Sequence, residues 1–170
     1  SPLIRNLNDP QTLPSARRAL RSFDESVVVA KLCDVLKRGD LSDQHLIGVV
    51  RTLSDYREGA DLEAMVECGS NGPLELTREV VDSLLKLARK SPLPENLLSK
   101  TEKLLHELAA ETYLALTLLE QFQDDKRAYL VSDFLTTTAT RKKGVILKLS
   151  LLAFPDSPIE TYMHALTAGE

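Results

Sequence analysis

The chain has 170 residues, of which 43% are hydrophobic and 27% charged; that is enough to bury a core and too apolar for a disordered chain. Only 5% are aromatic and Trp is absent, while Leu, Ala, Glu, Lys and Arg are abundant, so an all-β fold is disfavoured and helix favoured. A formal charge of −4 and a pI near 5.5 give no global attraction to nucleic acid or anionic lipid, so either would need a local basic patch.

Ser1 followed by Pro2-Leu3-Ile4-Arg5-Asn6-Leu7 reads as the last turns of a helix begun earlier, and a piece of a longer protein is expected. Helix punctuation then recurs at Asn8-Asp9-Pro10, Asp24-Glu25-Ser26, Arg38-Gly39-Asp40, Arg57-Glu58-Gly59 and Gly69-Ser70-Asn71-Gly72-Pro73. Between these lie amphipathic runs such as Val28, Val29, Leu32, Val35, Leu36 and Val80, Val81, Leu84, Leu85, Ala88, at the i, i+3, i+4, i+7 spacing of a helix face.

The runs repeat. Leu3-x3-Leu7, Leu32-x3-Leu36 and Leu62-x3-Val66 close three first helices, about 29 and 30 residues apart. Ala16-x3-Leu20, Val49-x3-Leu53 and Val80-x3-Leu84 occupy matching places in three second helices, about 33 and 31 residues apart. Helix pairs repeating at this period cannot bury their apolar faces alone and stack into an α-solenoid.

After Ser91-Pro92-Leu93-Pro94 the pattern loosens. Residues 95–122 hold no Gly or Pro and predict one long helix, or two broken near Glu111, with Lys103, Glu107 and Glu111 at i, i+4 spacing on an exposed face. Three further helices are expected over residues 125–137, 140–152 and 158–166, the last capped by Ser157 with Pro158 in its first turn. The expected fold is a single all-α domain over 1–170, a right-handed α-α superhelix of about 8–10 helices. Residues 1–91 would carry HEAT-like repeats and 95–170 less regular helices.

Leu3-Ile4-Arg5-Asn6-Leu7-Asn8-Asp9-Pro10 followed by Ala16-Arg17-Arg18-Ala19-Leu20 resembles the HEAT-like repeat of the phycobilisome-lyase type, over about half the chain. The resemblance implies an Arg lying over the Asp-Pro turn, hence a pair between Asp9 and Arg17 or Arg18. The second and third units lack the Asp-Pro. Downstream, Glu107, Glu111 and Tyr113, then Arg141-Lys142-Lys143, Val145-Ile146-Leu147-Lys148-Leu149 and Ile159-Glu160-Thr161-Tyr162 look like the C-terminal helical region of certain bacterial multidomain proteins. In those, HEAT repeats follow a membrane domain similar to nucleotide translocases, sometimes beside a cyclic-nucleotide-binding domain. That likeness implies a cytoplasmic helical appendage with any transport residues outside it.

The residue types give little chemistry. His45, His106 and His164 are scattered and Cys33 and Cys68 are far apart, without metal-ligand spacing. Both cysteines fall in apolar helical patterns and read as reduced core residues of a cytosolic-type compartment. Gly69-Ser70-Asn71-Gly72 lacks the ending of a phosphate loop and reads as a turn. Glu107 with Glu111, and Asp124 with Asp125, read as helix-face and capping carboxylates before acid-base pairs. Arg141-Lys142-Lys143 reads as a solvated helix start. Arg17, Arg18, Arg21, Arg51, Arg78, Lys86 and Arg89 all fall on second helices, where a solenoid would bring them to one concave strip.

The expectation is therefore a scaffold or protein-interaction domain, without catalysis or cofactor, whose partner is a protein or a neighbouring domain of the same chain. Membrane association would come only through a parent protein. The alternative is a nucleic-acid-binding solenoid that uses the basic strip, as in HEAT-like proteins resembling DNA glycosylases. The acidic total, the lack of Trp and the capacity of these arginines for salt bridges oppose it.

Overall fold

The computed structural model describes residues 2–9, 11–56, 60–122 and 129–155. Among these none lies in a strand. The helices are α1 (Pro2–Arg5), which runs into a 3-10 turn (Asn6–Asn8), α2 (Leu13–Leu20), α3 (Glu25–Arg38), α4 (Asp43–Leu53), α5 (Leu62–Asn71), α6 (Leu74–Ala88), α7 (Glu95–Phe122) and α8 (Tyr129–Ala153). No described helix is long and apolar enough to cross a membrane. The chain divides into two compact units, Ser1–Leu97 and Leu98–Glu170.

Local chemistry sets the helix ends in the first unit. Asp24 caps α3, its Oδ1 accepting from the N–H groups of Ser26 at 2.9 Å and Val27 at 3.4 Å, with Glu25 behind it at the positive end of the helix dipole. At the other end Gly39 adopts φ 61°, a left-handed conformation that glycine enters without steric penalty, and its N–H closes on Val35 O at 3.3 Å. Asp61 caps α5 by accepting from Ala64 N–H at 3.0 Å, and the same carboxylate meets Lys37 Nζ at 2.7 Å. One side chain thus starts α5 and ties it to the last turn of α3.

The pairs pack as hairpins. The 3-10 turn contacts α2 and α4, α3 contacts α4 and α5, and α6 contacts α4 and α5. Leu7, Ala16, Leu20, Leu32, Leu36, Val49, Leu53, Val66, Val80 and Leu84, all at repeat positions, are buried. Leu3 and Leu62 are half-buried. Each fully covered Leu or Val stabilises the fold by about 1.5–3 kcal/mol relative to exposure, so equivalent sequence places carry equivalent packing energy.

Two glycines hold this packing. A Cβ on Gly48 of α4 would stand 1.9 Å from the carbonyl oxygen of Leu7, so the 3-10 turn lies directly on the helix backbone. A Cβ on Gly69 would stand 3.1 Å from the Cβ and Cγ2 of Val80. This second approach corrects the reading of residues 69–72 as a turn: α5 continues through Asn71 and breaks at Gly72. The helix persists because Val80 packs onto Gly69 and the Thr77 hydroxyl donates to Gly69 O at 2.7 Å.

In the second unit, α7 is one unbroken helix through Glu111, with Thr101, Leu104, Leu105, Leu108, Thr112 and Ala115 buried along one face. Instead of separate helices over 125–137 and 140–152, a single α8 spans the proposed break. Residues 136–140 contain no Gly or Pro, and the Thr136 hydroxyl returns to Ser132 O at 2.8 Å, so the threonines are accommodated within the helix. Ala139, Val145, Leu149 and Leu152 are its buried side chains, and Lys142 pairs with Glu111 of α7. The expected helix over 158–166 lies outside the described residues.

Gly48→Ala is expected to destabilise the chain by at least about 2 kcal/mol, because the obstacle is backbone. Gly69→Ala should cost clearly less, since Val80 can yield by a few tenths of an ångström. Urea titrations followed by circular dichroism would rank the two.

Candidate functional site

The candidate basic strip lies on the second helices of the first unit, with Arg21 and Arg89 at the residue just past α2 and α6, and four of its seven cations converge on two carboxylates. Asp55 lies just past α4, in a turn closed by Asp55 N–H to Thr52 O at 3.1 Å and Tyr56 N–H to Leu53 O at 3.0 Å. Its Oδ2 accepts from Arg17 Nε at 2.9 Å, from Arg17 Nη2, and from Arg21 Nη2 at 3.2 Å; both arginines come from the α2 region. Its Oδ1 accepts from Lys86 Nζ of α6 at 2.7 Å, and the same ammonium donates to Ser54 Oγ at 3.3 Å. Three cations from two other hairpins therefore meet one carboxylate.

The electrostatics follow from that geometry. An acid at a helix C-terminus faces the negative end of the dipole, and with a side chain only 10% exposed Asp55 is largely desolvated. Burial pushes its pKa up, but the hydrogen bonds from Arg17 and Lys86 and the charges of both outweigh it, bringing the carboxyl down to about 2. Beside this hub, Arg51 of α4 grips Glu79 of α6 two-fold, Nε to Oε1 at 3.0 Å and Nη2 to Oε2 at 2.5 Å. The hydrogen bond to Glu79 raises the Arg51 pKa further, so the guanidinium stays charged.

Of the seven candidate cations, Arg17, Arg21 and Lys86 pair with Asp55 and Arg51 with Glu79. Arg18, Arg78 and Arg89 are exposed. The pair expected between Asp9 and Arg17 or Arg18 is replaced: Arg17 turns to Asp55, and Asp9 accepts from Gln11 N–H at 2.9 Å within its own turn. Asp55 accepts hydrogen bonds from three cations carried by two other helical segments, Arg17, Arg21 and Lys86.

Asp55 and Glu79 are the residues that sequence reasoning passed over. A signal for Asp55 was present, because Asp55 and Lys86 stand at the same place in consecutive repeats, two residues beyond Leu53 and Leu84. Opposite charges at matching places of neighbouring helix pairs are candidates to meet when the pairs pack. Glu79 had no comparable mark.

A cavity of about 360 Å³ lies elsewhere, between the ends of α3 and α5 and the starts of α4 and α6, with Leu36, Lys37, Asp43, Glu67, Cys68 and Asn71 in its lining. Cys68 is a free thiol whose pKa is pushed up by burial and, secondarily, by Asp43, which keeps it protonated and poorly nucleophilic. Cys33, also free, is buried, and its Sγ accepts from Asp61 N–H at 3.4 Å.

Other candidate groups are engaged in the helices. His45 Nδ1 lies 2.7 Å from Ser42 Oγ, at the start of α4. In the second unit His106 Nε2 lies 4.0 Å from Glu102, and Glu107 3.8 Å from Lys103. Glu111 pairs with Lys142, so Arg141-Lys142-Lys143 sit in the middle of α8 rather than at a helix start. His164, Asp124 and Asp125 lie outside the described residues. Among those described, no group of three His, Cys, Asp or Glu side chains is placed to hold a metal ion.

The Asp55 hub makes stability pH-dependent with a definite sign. The folded pKa of about 2 lies below the ordinary 3.8, so the stabilisation is complete above the ordinary value and is lost as the pH falls from about 5 towards 2. The loss should be no more than about 2 kcal/mol, because the site borders solvent. In Asp55→Ala, which leaves three cations without their carboxylate, stability at pH 7 should drop by about 2–4 kcal/mol. Acid titrations at fixed urea should show the variant's pH dependence over that window flattened. Comparison with protein-family models, with curated proteins and with solved structures finds no match to this chain.

Proposed function

We propose that this chain is a HEAT-like helical-repeat domain, with α2, α4 and α6 as the second helices of a right-handed superhelix, whose function is to hold a partner protein or a neighbouring domain. No catalytic step is assigned to it. The observation that carries this reading is the convergence of Arg17, Arg21 and Lys86 on Asp55. It links side chains of all three hairpins at their second helices, as stacked repeats require. Its energy is spent on fixing the helices relative to one another, which serves a binding surface by lowering the entropy lost on contact.

On this reading the partner meets the surface of the second helices, where Arg18, Arg78 and Arg89 are exposed and suit an acidic or hydrogen-bond-accepting protein face. The nucleic-acid alternative is weaker than the sequence suggested. Phosphates would have to compete with Asp55 and Glu79 for Arg17, Arg21, Lys86 and Arg51, leaving three cations to supply a salt-dependent attraction against a net charge of −4. A cytoplasmic setting, inside a larger protein, belongs to the same proposal.

A photo-crosslinking amino acid placed at Arg18 or Arg78 in the producing cells should capture polypeptide in higher yield than one placed at Asp34, which is exposed on the first helix α3. Equal yields from both sides would overturn the second-helix surface. Recovery of nucleic acid, together with a mobility shift of duplex DNA that weakens with salt, would favour the alternative.

A further inference from the structure

We propose that the C-terminal ends of α2 and α6 form a binding site for the carboxylates of an acidic protein segment, seated on Arg21 and Lys86 above Asp55 and flanked by Arg18 and Arg89. The inference rests on the second-helix reading and narrows its contact to one end of those helices, leaving Arg78 outside.

The charge balance of the hub is uneven. Arg17, Arg21 and Lys86 share one carboxylate, so cations outnumber it three to one. The surplus lies on the solvent side. Arg17 is mostly covered and grips Asp55 through two nitrogens, whereas the side chains of Arg21 and Lys86 are 62% and 45% exposed. Both keep donors in reserve. Arg21 directs its Nη2 to Asp55, and its guanidinium has further N–H groups; Lys86 serves Asp55 and Ser54, and its ammonium has one N–H left.

The two exposed cations are close enough for one anion. Asp55 touches both, Oδ2 to Arg21 and Oδ1 to Lys86, so their nitrogens lie within the span of a single carboxylate. A second carboxylate arriving from solvent bridges the same pair without displacing the first, with the charge-assisted geometry that a guanidinium offers a planar two-oxygen acceptor. The negative helix ends account for a cation at each. They do not consume these donors, because the last carbonyls of α2 and α6 accept from the backbone N–H groups of Ser22, Phe23, Lys90 and Ser91.

Neighbouring cations make the site longer than one carboxylate. Arg18 stands three residues before Arg21 and Arg89 three after Lys86, the spacing that sets side chains together on a helix, and both are exposed. Arg21 and Arg89 keep helical backbone angles, φ −65° with ψ −14° and φ −64° with ψ −21°, so the spacing holds to the helix ends. Exposed cations thus run from α2 across Asp55 to α6. This short line suits a peptide with several acids. A duplex would need Arg17 and Arg51 as well, and both are held by their own carboxylates.

Fluorescence anisotropy of a labelled hexaglutamate peptide, titrated with the whole chain at low salt, tests the site, with hexaglutamine as the uncharged counterpart. The glutamate peptide is expected to bind and the glutamine peptide not to. Arg21→Gln and Lys86→Gln should each weaken binding about three- to tenfold, and the double variant more than either. Circular dichroism should show helix content unchanged, because Asp55 keeps Arg17. Arg78→Gln and Lys31→Gln remove the same charge from exposed positions elsewhere on the unit and should change binding by less than about twofold. Absence of binding, or equal losses in all four variants, sinks the proposal. A loss confined to Arg78→Gln also overturns this site, yet leaves the second-helix surface standing. Failure of that broader reading shows instead as crosslinks at Arg18 and Arg78 no richer than at Asp34. Tighter binding of a single-stranded oligonucleotide of equal charge, lost in the same double variant, rejects a protein segment as the occupant.

Discussion

The first unit depends on a carboxylate placed where a helix ends. Asp55 closes α4 against an unfavourable dipole, and its charge is tolerable only because Arg17, Arg21 and Lys86 reach it from other hairpins. Once formed, the cluster resists sliding, since moving any one hairpin by a helical turn would leave buried charge behind. Arg51 and Glu79 add a second, two-pronged link between α4 and α6, and Lys37 and Asp61 a third between α3 and α5. Apolar packing supplies most of the energy holding these helices together; the ion pairs choose among the registers that packing alone would accept.

Backbone proximity is the complementary constraint. Gly48 lets the carbonyl of Leu7 rest on α4, and Gly69 lets Val80 rest on α5. These approaches bring elements from different hairpins, and from the two helices of one hairpin, closer than any side chain would permit. Together with the charge links they fix the inter-helix contacts of the first unit, while Arg18, Arg78 and Arg89 stay exposed. The second unit is organised differently: two long helices joined by the Lys142–Glu111 ion pair, with outward apolar residues on both α7 and α8.

The same residue types therefore take opposite roles in the two units. Arg17, Arg21, Arg51 and Lys86 in the first are drawn to acids that folding brings near. In α8, Asp133 and Arg141 are both exposed, two turns apart along the helix. Glycine shows the same contrast, since Gly48 is demanded by a neighbouring backbone whereas Gly144 faces open space.

Helical character, the positions of most helix boundaries in residues 2–94 and the buried places of the repeat were legible in the sequence, because all three follow from local rules: apolar spacing, caps, and Gly at a left-handed helix end. Local rules also misled. They broke the chain at residues 69–72 and near 138, where tertiary contact with Val80 and threonine back-bonding kept the helices whole. They sent Arg17 to the nearest acid, Asp9, when the acid that holds it is 38 residues away. The sequence by itself determined which stretches are helical and which faces are apolar, since these depend on neighbours within a turn or two. Which charges meet, and so which part of the basic strip remains exposed, was decided only by tertiary structure, because an ion pair forms between side chains that folding brings within reach, whatever their separation along the chain.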